Sequence, residues 1–291
     1  LEAVVARSGH SAAAIARQFG IPKFSTDTQA ILDDPDIDAV LIATRHNLHA
    51  GMTLAALKAG KHVLVEKPLA LTRAELESIS ALYASPKKAA SLPVLLTGFN
   101  RRFSPFALRL RELVDSRSNP MILNYRMNAG YIPLDHWVHT EEGGGRTLGE
   151  ACHIYDLFTF LTDSRVISVE AQAIRPATGY YSRYDNFVAT LAFEDGSIAT
   201  LTYTALGASD FPKERMEVFV DGKVLELDNY TRLSVHGAAM KGVETRLIEK
   251  GHRQELEAFA HTLQSGGEWP APLWQQIQAS EIALRVEDLL H

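Results

Sequence analysis

LVEKPLAL, residues 64–71, ends an apolar run with two opposite charges and a proline. Proline has no N–H to give to a strand ladder, so a β-strand that enters this stretch must stop at Pro68. The side chains of Glu66 and Lys67 are then left at the carboxyl end of the strand. Ligands bind at that edge in open α/β sheets, so the stretch predicts a ligand site that includes Glu66 and Lys67.

Strand-like and helix-like segments alternate on both sides of this stretch. Apolar runs predict strands at 2–7, 38–44, 62–68 and 94–100. Helical composition with stop signals predicts helices at 11–20, 49–60 and 71–85, the last of them opened by a capping box of Thr72 and Glu75. Residues 86–93 are expected to form a surface loop. Alternation of this kind predicts an α/β fold with a doubly wound parallel sheet.

The pattern changes after a helix at 104–116. Strands now follow one another with turn signals between them, at 121–128, 166–175, 185–196, 197–205, 214–222, 223–229 and 231–237. One helix at about 149–162 interrupts them, and helices at 251–265 and 273–290 close the chain. We therefore expect two domains: 1–118 with the parallel sheet, and 119–291, an α+β domain with an open, mostly antiparallel sheet.

The composition argues against several classes of protein. The 291 residues carry 35 acidic and 29 basic side chains, a formal net charge of −6, without a long run of either sign. This balance argues against nucleic-acid and anionic-membrane partners. No segment approaches the roughly 18 apolar residues of a membrane span. The single cysteine, Cys152, rules out an internal disulfide, and a reducing, cytoplasmic location is expected.

Three segments resemble the Gfo/Idh/MocA family, the glucose–fructose oxidoreductase and inositol dehydrogenase group. They are ATRHNLHAGMTLAALKAGKHVLVEKPLALT at 43–72, TGFNRRFSP at 97–105 and EEGGGRTLGEACHIYDLFTFL at 141–161. NAGYIPLDHW at 128–137 and GEACH at 149–153 resemble more closely the family half that lies behind a zinc-type alcohol dehydrogenase-like half in bacterial polysaccharide-biosynthesis gene sets. The resemblance implies a Rossmann-like dinucleotide-binding domain and a substrate domain whose open sheet forms a homodimer or homotetramer.

The resemblance also implies a catalytic lysine. Lys67, in the E-K-P tripeptide, is expected to lie beside the nicotinamide and the carbinol that is oxidised. The chemistry agrees, because oxidation of a secondary alcohol needs a group that takes the hydroxyl proton, and a lysine at a dehydrated sheet edge can act as that base. Taken alone, the tripeptide would equally fit a surface Glu–Lys pair at a strand end.

Families of this kind carry D-x-x-x-H on the helix that faces the cofactor. Alignment on the glycine run Gly143–Gly145 places the histidine at His153, but the aspartate position falls on Gly149. Glu150 offers a carboxylate one position later, turned by about 100° on a helix. We predict a proton relay of Lys67 and His153 with Glu150 as third member. The alternative for His153 is a partly buried structural histidine.

Two further interpretations concern the side chains around His153. Asp156, one helical turn later, is expected to orient the imidazole ring. Five potential metal ligands, His136, His139, Glu150, Cys152 and His153, offer a zinc site as an alternative. Adjacent Cys152 and His153 point to different faces of one helix, unlike the paired ligands of a closed zinc site. No metal is therefore predicted.

Substrate contacts are expected from two segments. Tyr131, His136 and Trp137 lie between a strand and the glycine run, and aromatic faces with nearby donors suit a sugar or cyclitol ring. Asn100, Arg101 and Arg102, at the boundary between the predicted domains, can bind the substrate or a phosphate on it. The arginines of this segment can equally bridge the two domains.

The cofactor is expected to be NAD(P), with NADP slightly favoured. Residues 6–10 contain Arg7 and Ser8 but no carboxylate for the adenine ribose of NAD, and arginine accommodates a 2′-phosphate. Thr44 and His49 correspond to the family's T-P-x-x-x-H pattern near the dinucleotide, with Arg45 in place of the proline. Glu66 and Lys67 complete the expected cofactor contacts.

The first strand of a Rossmann-like sheet and its G-x-G-x-x-G turn are missing from the sequence. Those glycines let the backbone approach the pyrophosphate at a helix N-terminus. Since the chain starts at Leu1 in a strand-like segment, we expect this segment to be the second strand and the first strand to precede it in the intact protein.

These residues predict an NAD(P)-dependent oxidoreductase. It would transfer a hydride between a nicotinamide cofactor and a secondary hydroxyl or ketone of a sugar, sugar nucleotide or cyclitol. The alternative is a non-catalytic dinucleotide- or sugar-binding or regulatory member of the same fold, because Gly149 stands where the family pattern has a carboxylate.

Overall fold

A computed structural model describes residues 1–84, 92–266 and 268–291 of the chain. The surface loop expected at 86–93 lies almost entirely outside these residues. Within the described part, every helix is too short or too polar to cross a membrane.

Strands and helices alternate in the first part of the chain, as the sequence predicts. The strands are β1 (Ala3–Val5), β2 (Lys23–Ser25), β3 (Ala39–Ile42), β4 (His62–Val65) and β5 (Leu95–Thr97). The helices are α1 (Gly9–Phe19), α2 (Gln29–Leu32), α3 (His49–Lys58), α4 (Arg73–Leu82) and α5 (Pro105–Val114). The sequence did not predict β2, because three residues are too few to show a strand pattern.

The strands of this part pair in parallel and form two sheets within the described residues. β1 pairs with β2, while β3, β4 and β5 form the second sheet in that order. β1 and β3 do not pair with each other, so the described strands do not include the one expected between them. Because β3 and β4 run in the same direction, the residues that follow them lie at one edge of the sheet.

Side-chain caps fix where the helices of this part begin. Glu75 donates its backbone N–H to Thr72 Oγ1 at 3.2 Å, and Thr72 donates its own to Glu75 Oε2 at 3.0 Å, so the predicted capping box is confirmed. Ser104 Oγ accepts from the backbone of Ala107 at 3.1 Å and opens α5. α1 ends at Gly20, whose φ of 65° is readily adopted only by glycine.

An eight-stranded sheet forms the second part. Its strands are β6 (Ile122–Asn128), β7 (Val166–Ala173), β8 (Phe187–Phe193), β9 (Ile198–Thr204), β10 (Glu214–Val220), β11 (Lys223–Asp228), β12 (Arg232–His236) and β13 (Val243–Glu244). They lie in the order β13-β12-β11-β10-β6-β9-β8-β7. β6 and β9 are parallel, and the other neighbours among these described strands are antiparallel. The predicted mostly antiparallel sheet is confirmed.

Three helices accompany this sheet, α6 (Cys152–Thr162), α7 (His252–Ser265) and α8 (Leu273–Leu290). α6 is buried along almost its whole length against the sheet and α8. A π-helical turn at Thr147–Ala151 precedes α6, so the regular helix begins later than the predicted residue 149. Such wide turns are frequent at functional sites.

α8 also contacts the first part of the chain. Gln276 donates from Nε2 to the Leu95 carbonyl at 3.1 Å and accepts the Thr97 N–H on Oε1 at 2.7 Å. The last helix is thereby attached to β5. The predicted domain boundary between residues 118 and 119 falls in the link from α5 to β6, and the division into 1–118 and 119–291 stays a prediction.

Candidate active site

A cavity of about 270 Å³ lies between the strand ends of the first part and the glycine run of the second. His46, Lys67 and Arg101 line it from the first part. The second part contributes Ile132, Trp137 and Val138, together with Arg146, Gly149, Glu150 and His153. The cavity therefore collects most of the polar residues that the sequence assigned to catalysis.

Lys67 lies where the sequence places it, two residues after the end of β4. Its Nζ donates to the Gly149 carbonyl at 2.9 Å and its side chain is half-buried. His49 donates from Nδ1 to the carbonyl of the following residue, Pro68, at 2.8 Å. This bond fixes the backbone beside Lys67. The ammonium group is therefore held at the cavity by its own hydrogen bond to Gly149 and by the fixed backbone next to it.

His153 is the second residue of α6 and lines the same cavity. It is 5% exposed, and its Nδ1 has no hydrogen-bond partner among the described residues. Burial lowers the pKa of His153 well below the ordinary histidine value, and the positive charges of Arg101 and Lys67 lower it further. The ring is therefore neutral at physiological pH and can accept a hydrogen bond.

Glu150 also lies in the cavity wall, but its oxygens are held by other side chains. Oε1 accepts from Lys213 Nζ at 2.7 Å, and Oε2 accepts from Arg146 Nη2 at 2.9 Å and from the Tyr203 hydroxyl. Burial alone would raise the pKa of Glu150, but the charges of Lys213 and Arg146 lower it to about 2. The carboxylate is therefore ionised and positions two cations; its membership of a proton relay stays a prediction.

The expectation that Asp156 orients His153 is wrong. Both Asp156 oxygens accept from Arg102, at 2.9 Å from Nε and 2.5 Å from Nη2, and the pair is almost completely buried. A buried guanidinium needs a carboxylate partner, and the interior of α6 offers Asp156. Among the described side chains, His153 instead meets the ring edge of Phe99, with 6.2 Å between ring centroids.

Arg101 combines the two roles left open for it. Its Nε and Nη2 donate to Glu214 at 2.9 and 3.1 Å, a buried pair that joins the first part of the chain to β10. The same side chain lines the cavity. Asn100 does not line it; its amide donates to the Lys250 carbonyl at 2.7 Å. The structure therefore gives Asn100 a role in holding the chain before α7, and its substrate contact stays a prediction.

Of the aromatic segment 131–137, Trp137 reaches the cavity. The Arg45 guanidinium lies over its ring, 4.0 Å from the centroid. Tyr131 stacks on Tyr180 at 4.4 Å and is 39% exposed, outside the cavity lining. His136 is exposed and accepts the Val138 N–H on Nδ1 at 3.3 Å. Tyr131 and His136 are therefore not in the cavity wall, and their substrate contacts stay predictions.

The predicted cofactor residues lie at strand ends. Thr44 follows β3, and His49 Nε2 lies 3.2 Å from its carbonyl oxygen. Glu66 and Lys67 follow β4, and a Cβ added to Gly98 would lie 3.2 Å from Glu66 Oε2. Glu66 thus packs directly against the backbone of Gly98. These strand ends form one edge, as the ligand-binding edge of a parallel sheet requires.

Arg7 and Ser8 lie between β1 and α1. The side chain of Arg7 is exposed, while Ser8 Oγ caps α1 by accepting from the Ser11 N–H at 3.2 Å. An exposed arginine beside a helix N-terminus has the chemistry to bind a phosphate.

The described residues contain no group of three or more His, Cys, Asp or Glu side chains arranged to hold a metal ion. Of the five potential ligands, Cys152 is a buried thiol whose pKa burial raises to about 12. His139 lies 3.6 Å from Asp185, away from His153.

His46 is one of the cavity residues that the sequence did not single out. It lies in a short 3₁₀ turn between β3 and α3, and its Nδ1 lies 2.7 Å from the Gly143 carbonyl oxygen. The neighbouring Asn47 N–H donates to the Glu142 carbonyl at 3.1 Å. The turn after β3 is thereby attached to the glycine run, across the cavity.

Two family models match the chain. One describes an oxidoreductase family with an NAD-binding Rossmann fold and matches residues 1–92, and the other describes the GFO/IDH/MocA C-terminal domain and matches residues 108–226. The chain belongs to the Gfo/Idh/MocA oxidoreductase family. This confirms the predicted family, the Rossmann-like parallel sheet domain and the assignment to the oxidoreductases.

Known Gfo/Idh/MocA proteins match most of the chain. Myo-inositol 2-dehydrogenase of Thermotoga maritima is 28% identical over 263 residues, which is 86% of this chain and 76% of the relative. The NAD(+)-dependent scyllo-inositol 2-dehydrogenase of Bacillus subtilis is 26% identical over 87% of this chain and 75% of its own.

Solved structures share the fold. An oxidoreductase domain protein from Kribbella flavida superimposes with a TM-score of 0.83 at 22% identity, covering 99% of this chain and 88% of that one. A levoglucosan dehydrogenase in complex with NADH and levoglucosan gives a TM-score of 0.81 at 23% identity, covering 99% of this chain and 87% of that one.

A buried carboxyl group near Glu66 gives a prediction for stability. Glu255, in the first turn of α7, is 4% exposed, and its Oε1 has no partner among the described residues. Burial, with smaller effects of Glu66 and Asp156, raises the pKa of Glu255 to about 9. Between the unfolded value of about 4.3 and about 9, the folded state holds a proton that the unfolded state releases, so this group makes stability fall as pH rises.

We expect Glu255→Gln to remove this pH dependence and to raise the free energy of unfolding at pH 7 by about 2 kcal/mol. The gain should shrink toward pH 5 and disappear below about pH 4, where the carboxyl is protonated in both states. Urea unfolding of the variant and the parent at several pH values measures it. Glu257→Gln, on an exposed part of the same helix, is the control and should change stability little. A gain that is equal at pH 5 and pH 8 would contradict the prediction.

Proposed function

We propose that this protein transfers a hydride between NAD(P) and a secondary hydroxyl or ketone of a sugar, sugar nucleotide or cyclitol. The observation that carries the proposal is that Lys67 and His153, from the two parts of the chain, line one cavity. The relatives named for inositol oxidation support the substrate class. The proposal assigns Lys67 as the acid/base and His153 as its partner, within domains 1–118 and 119–291.

The residues at the ends of β3 and β4 fit a dinucleotide. The cavity can offer a hydrogen bond to a ligand, because His153 Nδ1 is buried without a partner among the described residues. Thr44, His49 and Glu66 would hold the cofactor at the sheet edge. When bound, the nicotinamide ring supplies the site at which the hydride is gained or lost.

The proton is handled by side chains of this chain. Lys67 Nζ is held by one hydrogen bond to the Gly149 carbonyl, which leaves its other positions free to meet a substrate oxygen. As the neutral amine, Lys67 takes the hydroxyl proton in the oxidative direction, and as the ammonium it returns that proton in the reductive direction. Neutral His153 accepts a hydrogen bond from the same oxygen or exchanges the proton with Lys67. Arg101 is neutralised by Glu214 and contributes shape and donors to the wall.

The proposal includes a preference for NADP through Arg7. We expect Arg7→Asp in the intact protein to weaken NADP binding by roughly tenfold or more, because a charge-assisted hydrogen bond to the 2′-phosphate contributes about 1.5–3 kcal/mol. NAD binding should change little. Titration calorimetry with each cofactor measures both affinities. Arg17→Asp, at the far end of α1, is the matched control. Equal weakening for NAD and NADP would count against a phosphate contact.

A non-catalytic binding protein is the second candidate. The glycine at position 149 favours it, because the family pattern has a carboxylate there. A panel of sugars, sugar nucleotides and cyclitols, followed by nicotinamide absorbance in the intact protein, separates the two. Cofactor binding by calorimetry without turnover of any compound would support the binding protein and overturn the oxidoreductase.

We extend the proposal to a homodimer or homotetramer formed through the outward face of the eight-stranded sheet. Ile122, Val188 and Ile198 project from that face and are 52%, 46% and 43% exposed. A row of exposed aliphatic side chains on a sheet suits a second copy of the same surface. A solution mass of a single chain by ultracentrifugation would contradict it.

A further inference from the structure

The imidazole of His46 occupies the space above Gly149. A Cβ added to Gly149 would lie 2.9 Å from His46 Cε1 and 3.4 Å from its Nδ1, and the first of these distances is shorter than packed carbon atoms allow. The ring and a side chain at position 149 therefore exclude each other. This gives a physical account of why Gly149 departs from the carboxylate of the family pattern.

The hydrogen bond of His46 fixes which ring nitrogen carries the proton. Nδ1 lies 2.7 Å from the Gly143 carbonyl, and a carbonyl oxygen can only accept, so Nδ1 donates. In the neutral ring Nε2 then carries the lone pair. Burial lowers the pKa of His46 to about 4, and the positive charge of Lys67 acts in the same direction. The ring is thus a neutral acceptor at physiological pH.

The orientation of the ring is held from several sides. Trp137 meets it edge-on with 4.8 Å between ring centroids, and His49 lies at 5.6 Å. His46 is 9% exposed and lines the cavity. Nε2 has no hydrogen-bond partner among the described residues. A fixed acceptor without a protein partner in the cavity wall is a site for a donor on the ligand.

Lys67 and His46 both lie against one residue. Lys67 Nζ binds the carbonyl of Gly149, and the His46 ring covers its Cα. The Lys67 ammonium group and the His46 imidazole acceptor therefore line the same cavity on either side of one residue.

We propose that His46 is a substrate-positioning residue whose Nε2 accepts a hydrogen bond from the hydroxyl on the carbon next to the one that reacts. The inference rests on the proposed oxidoreductase function and narrows its substrates to rings with a vicinal diol, as in cyclitols and pyranoses. A substrate that lacks the neighbouring hydroxyl cannot donate to this acceptor and loses that hydrogen bond.

The test compares scyllo-inositol with its monodeoxy analogue, or the most active compound of the panel with the analogue that lacks the neighbouring hydroxyl. We expect the intact protein to prefer the diol in kcat/KM by roughly 10- to 100-fold. His46→Phe keeps a ring but has no acceptor, and should lower kcat/KM for the diol by about that factor while leaving the deoxy compound nearly unchanged. His46→Gln, which restores an acceptor near Nε2, should recover part of the preference.

His236→Phe is the control, because His236, on β12, is exposed and outside the cavity lining. Gly149→Ala places a Cβ against the ring and should also reduce the preference although the imidazole is kept. Thermal unfolding of each variant shows whether it is folded. If His46→Phe is unfolded, His46→Gln and Gly149→Ala test the role of His46. Turnover with an unchanged diol preference in the folded variants would overturn the role of His46. Absence of turnover in the parent protein would overturn the proposed function itself.

Discussion

Lys67→Ala in the intact protein is expected to lower kcat by about 10²–10⁴-fold, the usual contribution of a positioned acid or base. The side chain ends in the cavity, and its Nζ is held at 2.9 Å from the Gly149 carbonyl. Cofactor affinity should stay within a few-fold, because the strand-end residues that would hold the dinucleotide remain. Nicotinamide absorbance measures turnover and calorimetry measures cofactor binding.

Two variants define what the lysine contributes. Lys67→Arg keeps a positive charge that cannot be given up, so it should be nearly as inactive as the alanine variant if proton transfer is the function. Lys58→Ala, at the exposed end of α3, is the control and should retain full activity. Unchanged turnover in Lys67→Ala would refute the acid/base role, and activity retained by Lys67→Arg alone would reduce the role to charge.

Asp156→Asn is expected to lower the free energy of unfolding by about 3–5 kcal/mol, because it leaves the Arg102 guanidinium buried without its counter-charge. Arg102 and Asp156 have side chains only 2% and 0% exposed. Gln275 accepts a further Arg102 N–H at 2.7 Å, so the ion pair joins α6, α8 and the end of the first part. Equilibrium unfolding in urea measures the loss.

A matched surface pair shows whether burial is the cause. Glu112→Gln breaks the exposed pair with Arg109, and we expect a change of at most about 0.5 kcal/mol. Replacing both buried partners, Arg102→Met with Asp156→Leu, should recover much of the stability lost in the single variant. Equal effects of Asp156→Asn and Glu112→Gln would show that the buried pair carries no special penalty.

Apart from the short strands β2 and β13, the order and type of the elements could be read from the sequence, but their ends could not. Strands were expected at 62–68 and 94–100, while the ladders stop at Val65 and Thr97. Glu66 and Gly98, the next residues, still donate a backbone N–H to the neighbouring strand, so no change in the sequence pattern marks where each ladder stops. α6 begins at Cys152 because the wide turn before it presents the Gly149 carbonyl to Lys67, a contact between distant residues.

The candidate site was predictable where it depends on strand geometry. Lys67 follows a strand and is positioned by it, and His153 lies at a fixed spacing from the glycine run. Tyr131 and His136 belong to an irregular segment whose course no periodic pattern describes, and neither lines the cavity. The sequence did not single out His46, because the observation that points to it is the space left by the missing side chain of Gly149. Only the structure brings these two residues together.

The side-chain amide of Gln276 has a consequence for the edge of the β3-β4-β5 sheet. β5 is a terminal strand of the β3-β4-β5 sheet, and an uncovered terminal strand is a template on which other chains can add. Gln276 satisfies one N–H and one C=O on β5, as a neighbouring strand would. One side chain of the last helix thereby protects the sheet from edge-to-edge aggregation, so solubility of the dinucleotide-binding half depends on a residue far along the chain.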